Sequence, residues 1–415
     1  MRLLWARSKH RLLLFFAVFG PATITAISDN DAAGVATYSL AGAHFGYSIL
    51  FFLIPIAFLL AITQEMGVRI ALATGKGLGD LIRERYGVRL SVIVFAILML
   101  ANLGSIIANF SALKAVFHMF KLPVLPLMVG VVIAIILFIS KGDYKTNQRI
   151  FLLSVILYFS YVFSAFKSNA DWGTAISNLF NPFSIQLKKE YIFTAIAVLG
   201  TTITPWGQFF VHSFLIDKKL TVDKLKFTQL ETFFGSGLTV FFSFFMIIAT
   251  AATLFTHGIS LTSGESAAFA IKPFAGELAS FLFGIGFINA ALMGIIIISL
   301  TTAYAFSEFF GYTGSLDAPF ERGKLFYAIF IFQLIAAALV VLLPFISIFQ
   351  IVYFTQTLNA ILLPFVFYFL LKMTNNRELM GNNLNSKITN IIAIVASVII
   401  ILAALFVMVS SIFKF

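Results

Sequence analysis

The sequence predicts an all-α integral membrane protein, and three observations carry that prediction. Hydrophobic residues make up 60% of the 415 positions and charged residues only 11%. Mean hydropathy is +1.01, so the chain lacks the charge that a water-facing surface needs, and lipid is its expected solvent. The apolar residues fall in long continuous runs, unlike the short alternating segments of a membrane barrel.

A helix needs about 20 apolar residues to cross the hydrocarbon core, and about eleven runs come close to or exceed that length. In order they cover 12–43 (interrupted), 46–73, 90–117, 122–140, 150–165, 191–216, 230–255, 279–306, 325–343, 346–371 and 388–413. They fill nearly the whole chain, so 1–415 is read as one membrane domain. Basic residues precede the first run, as in a signal peptide. That run continues without a small-residue cleavage site and is read as a retained helix.

Lysine and arginine placement tests the count. With the amino terminus inside, 21 of the 28 basic residues fall on inner segments and 7 on outer ones. A wrong count would scramble that bias. The expected topology is a multi-pass plasma-membrane protein with a cytoplasmic amino terminus and an extracellular carboxyl terminus. The net charge of +11 is spent on this asymmetry, so no nucleic-acid partner is expected. The absence of cysteine excludes disulfides, iron–sulfur clusters and thiolate zinc sites. No soluble active-site motif appears, and no enzyme activity or cofactor is expected.

Two runs break the rules of a membrane helix. The first carries Ser28-Asp29-Asn30-Asp31-Ala32-Ala33-Gly34 between Phe15 and Leu40. Acidic residues at this depth are costly and mark functional sites. Two carboxylates around an asparagine suit an unwound stretch, with Asp31 at the start of a second half-helix. Non-helical backbone is tolerated there only against protein or a water-filled cavity. Its freed carbonyls and carboxylates suit a cation. The sixth run is interrupted at Gly200-Thr201-Thr202-Ile203-Thr204-Pro205-Trp206-Gly207-Gln208. Proline removes a backbone donor and disfavours helix at the residue before it. The two breaks begin successive blocks of five spans, about 12–165 and 191–371, with an extra helix at 388–413. Breaks in corresponding positions point to the binding site of a transporter.

The residues around these breaks resemble the NRAMP family of divalent-metal transporters. The stretch from Gly20-Pro21 to Ala41-Gly42-Ala43-His44-Phe45-Gly46-Tyr47 is similar to the family's first helix. The segment from Thr74-Gly75-Lys76-Gly77 through Asp80 to Tyr86-Gly87 is similar to the loop after its second. The resemblance implies a LeuT-like inverted repeat, helices 1–5 against 6–10, with helices 1 and 6 broken. The family's Asp-Pro-Gly-Asn falls on Asp31-Ala32-Ala33-Gly34, so the aspartate survives and the asparagine ligand does not. The family's methionine ligand before proline becomes Thr204, and the histidine that follows becomes Trp206. Acidic positions linked in the family to proton movement fall on Asn102 and Ser105.

These departures are most similar to the family's magnesium-transporting branch. A thioether favours later transition metals, whereas oxygen donors suit magnesium, calcium or manganese. Magnesium dehydrates reluctantly, and Gly34 and Thr204 leave room for an ion that keeps its waters. The implied metal site is Asp31, Thr204 and Gly34, surrounded by Asp29, Asn30, Ala32, Trp206, Gly207, Gln208 and Gln350. The expected function is uncoupled uptake of magnesium, with manganese as second choice. The alternatives are a proton-coupled manganese or iron carrier, and an amino-acid or organic-cation carrier of the same fold. The partners are the divalent ion and the bilayer; a monomer suffices, and the oligomeric state stays open.

Other polar residues have plainer readings. Glu65 and Arg69, four apart, are read as a helix-face ion pair. Gly75-Lys76-Gly77 is read as a turn into an amphipathic helix, since the rest of a phosphate loop is missing. Gln350, Gln356 and Asn359 face either the pathway or a neighbouring helix. Glu308, Asp317, Glu321 and Arg322 are read as a solvated cytoplasmic patch.

Overall fold

The computed structural model describes residues 15, 17–259, 261, 267, 271–343 and 348–413. The basic amino-terminal residues counted above lie outside that range. Secondary structure among the described residues is helical throughout, with no strand. The first run is split into α1 (Pro21–Ser28) and α2 (Ala32–Phe45), and α2 leads through a 3-10 stretch, Gly46–Phe52, into α3 (Leu53–Thr74). There follow α4 (Leu78–Met119), α5 (Val124–Lys141), α6 (Tyr144–Leu157), α7 (Phe159–Lys167) and a short helix α8 (Trp172–Phe180). The sixth run is split into α9 (Lys189–Thr202) and α10 (Pro205–Asp217). Then come α11 (Leu225–Thr250), α12 (Lys272–Phe310), α13 (Lys324–Leu342), α14 (Ile348–Thr374), α15 (Arg377–Met380) and α16 (Lys387–Phe413).

Seven helical stretches among the described residues are long and apolar enough to cross a membrane, and Ile361–Thr374 and Lys387–Ala403 are shorter apolar helices. The expected count of about eleven is not reproduced by that measure. One reason is that α2 and α3 form a single 43-residue stretch. Another is that the halves of the sixth run, 14 and 13 residues long, are each too short.

Local chemistry sets the element ends. Gly20 has φ 137°, a conformation that L side chains rarely adopt, and Pro21 opens α1 with its ring already at a helical φ. Asp31 caps α2 by accepting from the Gly34 N–H. Thr204 caps α10 by accepting from the Gly207 N–H, with Pro205 in its first turn. Gly75 closes α3 in the left-handed region, and 75–77 form the expected turn. Gly87 at φ 81° separates the amphipathic 78–86 stretch from the membrane part of α4.

Packing places the broken runs inside the bundle. All eight residues of α1 are buried, as are twelve of the thirteen in α10. The apolar residues exposed on α5, α6 and α16, such as Leu125, Leu153 and Ile391, are where lipid is expected to lie. Close backbone approach holds the inner helices. A Cβ on Gly42 would sit 2.5 Å from the Ile247 carbonyl of α11, and one on Gly235 would sit 2.8 Å from Thr23 Cα of α1.

Candidate metal-ion site

The two breaks meet. Asp29 ends α1, Asp31 begins α2, and Thr204 begins α10. The Thr204 hydroxyl donates to Asp29 Oδ1 at 2.8 Å, joining the breaks directly. Gly207 makes that contact possible, since a Cβ there would lie 3.1 Å from Thr204 Oγ1 and 3.3 Å from Asp29 Oδ1.

A small, partly open cavity lies between the breaks. Its lining comprises Asp29, Asp31, Ala33, Ser105, Gly200, Thr201, Thr204, Pro205, Trp206 and Asn359. The polar donors among them are carboxylate, hydroxyl, amide and backbone groups, with no thioether, thiol or imidazole. Backbone chemistry adds acceptors at the end of α9. Residue 205 is proline, so the Thr201 carbonyl lacks the N–H that a continuing helix would offer. The two half-helix N-termini nearby carry positive partial charge that repels a cation. Asp31 and Thr204 cover them with oxygen.

Asp31 is held on both oxygens. Oδ1 accepts from the Gly34 N–H at 2.9 Å, and Oδ2 accepts from Asn109 Nδ2 at 2.8 Å. Asn109 Oδ1 also accepts the Ala32 N–H at 3.0 Å. One amide of α4 thereby fixes both the carboxylate and the first turn of α2. Among the described residues, Asp29 Oδ2 accepts no hydrogen bond, so it is the carboxylate oxygen most available to an incoming ion.

Not every expected residue faces the cavity. Asn30 turns away, donating to the Thr239 carbonyl at 2.9 Å and accepting from Ser243 at 3.1 Å, because its carbonyl and amide groups must be satisfied inside the bundle. Gly34 does not line the cavity; its N–H is used by Asp31, and a Cβ there would meet the Asp29 carbonyl at 2.8 Å. Ala32, Gly207 and Gln208 lie outside the lining as well. Gln208 is buried, and its Oε1 has no hydrogen-bond partner among the described residues. The Gln350 and Gln356 side chains lie outside the described residues. Asn359 does line the cavity and donates to Ser105 Oγ at 3.4 Å, combining the two readings offered for it.

On α4, Ser105 reaches the cavity, while Asn102 bonds Thr302 of α12 at 2.9 Å. Asn109 was missed in the sequence. Its spacing from Asn102 and Ser105 puts all three on one helix face, a stripe that could have disclosed it. His212 is buried, with Nδ1 at 2.7 Å from the Gln208 carbonyl and its ring against Gly67, away from the cavity lining.

Glu65 and Arg69 form the expected pair, and Gln229 of α11 donates to Glu65 Oε1 at 2.6 Å. Glu308 corrects the solvated-patch reading. Because α12 extends to Phe310, Glu308 is turned inward, accepting from Gly79 N at 2.9 Å and from Ser213 Oγ of α10. Asp317, Glu321 and Arg322 are exposed as expected.

Residues 22–410 match the family model described as natural resistance-associated macrophage protein-like, Nramp. The chain belongs to the Nramp family. Similar proteins include a divalent metal cation transporter of Yersinia enterocolitica, 24% identical over 93% of this chain and 92% of that protein. Another from Nostoc sp. is 24% identical over 90% and 86%. The fold is similar to that of a manganese transporter of Eremococcus coleocola, in a crystal structure of a mutant. That match has a TM-score of 0.79 at 17% identity, covering 97% of this chain and 87% of that one. A nucleobase-cation-symport-1 family transporter matches with a TM-score of 0.56 at 16% identity, over 96% and 93%. Among the described residues, the cavity between the paired breaks is lined by oxygen groups and no sulfur.

Proposed function

We propose that this Nramp chain carries divalent cations across the plasma membrane by alternating access, and that its ion is magnesium, moved without proton coupling. The single observation behind the choice of ion is the cavity lining, two carboxylates with hydroxyl, amide and backbone groups and, among the described residues, no soft donor. Oxygen ligands select hard ions. Magnesium takes oxygen ligands and usually keeps several waters, and the lining's hydroxyl, amide and carbonyl oxygens can bind the ion directly or hold those waters. The site we assign is Asp31 and Thr204, with Asp29 supplying a second carboxylate and Gly34, outside the lining, holding Asp31 Oδ1 through its N–H.

The absence of coupling is supported by α4, where Asn102, Ser105 and Asn109 are all non-titrating and Asn109 sits against Asp31. The second reading is a proton-coupled manganese or iron carrier, and the name of the Eremococcus coleocola manganese transporter favours its manganese part. An amino-acid carrier of this fold is disfavoured, because two carboxylates in the cavity repel a substrate carboxylate.

Fluorescent uptake assays in proteoliposomes, with and without a proton gradient, test the proposal. Magnesium entry that leaves internal pH unchanged and is lost in Asp31→Ala supports it. Strong cadmium transport, or acidification driven by metal, overturns it.

A further inference from the structure

The segment that joins α7 to α9 carries apolar side chains that the protein leaves uncovered. Its helix α8, nine residues long, is too short to span a membrane. Phe183 and Leu187 are 93% and 89% exposed, and Ile176 and Phe180 are exposed as well. The backbone beneath them is held in place. Asp171 caps α8 by accepting from the Thr174 N–H at 3.0 Å, and its own N–H donates to the Tyr47 hydroxyl at 3.3 Å. Asn181 Oδ1 accepts from the Phe183 N–H at 3.0 Å, and the Tyr191 hydroxyl donates to the Ser48 carbonyl at 2.8 Å. The segment is thus fastened at both ends to the Gly46–Phe52 stretch that joins α2 to α3.

The sides of α8 differ in character. Ala175 is buried and Leu179 half-buried, on the side turned to the protein. Gly173, Thr174 and Ser177 are exposed and small or polar, which suits water. Between those sides Trp172, Ile176 and Phe180 follow one another every fourth residue, a single stripe on a helix. Protein on one side, water on another and an apolar stripe between them fit a helix lying in the plane of a membrane interface. The stripe begins where lipid is already expected. Trp172 packs on Phe166 of α7, with ring centroids 4.8 Å apart, and Phe163 and Phe166 are exposed on that membrane helix. Tryptophan favours this depth because its ring is apolar and its N–H polar. Lys188 and Lys189 follow Leu187 directly, both exposed, and their charge complements lipid phosphate.

We propose that α8 and the turn after it form a lipid anchor in the leaflet on the α2 and α9 side. Ile176, Phe180, Phe183 and Leu187 lie among the acyl chains there, and Lys188 and Lys189 lie against anionic headgroups. Through Tyr47 and Ser48 the anchor holds the junction of α2 and α3. The inference rests on neither the ion nor its coupling.

The chain has no cysteine, so single introduced thiols report without background. Phe183→Cys, Leu187→Cys and Ser177→Cys are made separately in the full-length protein and carry a nitroxide spin label. They are reconstituted into vesicles of phosphatidylcholine and phosphatidylglycerol. The labels replacing Phe183 and Leu187 are expected to collide often with oxygen, which concentrates in lipid, and seldom with a neutral water-soluble nickel chelate. The label replacing Ser177 is expected to show the reverse. Equal access of the chelate to all three labels overturns the anchor. Shielding from both oxygen and chelate, with spin–spin broadening that fades on dilution by unlabelled protein, also overturns it, since a second copy of the chain would then cover the stripe. Lys188→Gln with Lys189→Gln, or omission of phosphatidylglycerol, is expected to raise chelate access at the Phe183 and Leu187 labels. No rise in either case overturns the assignment of the two lysines to headgroups. The readout involves no transport, so a failure here is distinct from a failure of the magnesium reading.

Discussion

Both oxygens of Asp31 accept hydrogen bonds, and the residue that occupies Oδ2 is Asn109. Replacing Asn109 by leucine would leave Asp31 Oδ2 and the Ala32 N–H without partners. Each unsatisfied buried group costs about 1–3 kcal/mol. Asn109→Leu is expected to cut the initial rate of ion uptake at least about tenfold, by the same energies, while elution as a single species shows that the fold survives. Thr204→Met changes the ligand chemistry instead. A thioether in the cavity should raise inhibition of magnesium uptake by cadmium, and unchanged inhibition would remove Thr204 from the selectivity argument. At this scale the sequence was legible where it broke a rule. Asp29, Asp31 and Pro205 are anomalous in apolar runs and could be read directly. Asn109 looks like any isolated amide in a membrane helix, and its partner is 78 positions away. Asn30 shows the converse, since its position between two aspartates says nothing about which way its side chain turns.

Among the elements, the half-helices were foreseeable because proline and paired acids interrupt their runs. The length of α12 was not. A reading that ended the eighth run at residue 306 left Glu308 in solvent, whereas one more helical turn carries it to Gly79 and Ser213. Hydropathy marks where lipid ends and is silent on where a helix ends. The contact of α2 with α11 yields a sharper test. A Cβ at Gly42 would lie 2.3 Å from Thr250 Oγ1 and 2.5 Å from the Ile247 carbonyl. A hydroxyl can rotate away, but a helical carbonyl cannot. Gly42→Ala is expected to destabilise by about 1–3 kcal/mol through overpacking, seen as a lower melting temperature in detergent. An unchanged melting temperature would mean that α2 and α11 separate more readily than their packing implies.

For the whole molecule, the passive carriage of a divalent ion proposed above would make uptake follow the membrane potential. Each charge gains about 2.3 kcal/mol per 100 mV, and a divalent ion about twice that. Magnesium entry into proteoliposomes is therefore expected to accelerate under an inside-negative diffusion potential, with no matching change in internal pH. Entry that ignores the potential would point to compensating ion exchange. The division of the two interrupted segments has a last consequence. Of the four pieces around the cavity, α1 and α10 run from it to one side and α2 and α9 to the other. Under the proposed alternating access, one pair would part while its opposite number stays sealed, so that the ion is never offered an unobstructed bore from one compartment to the next.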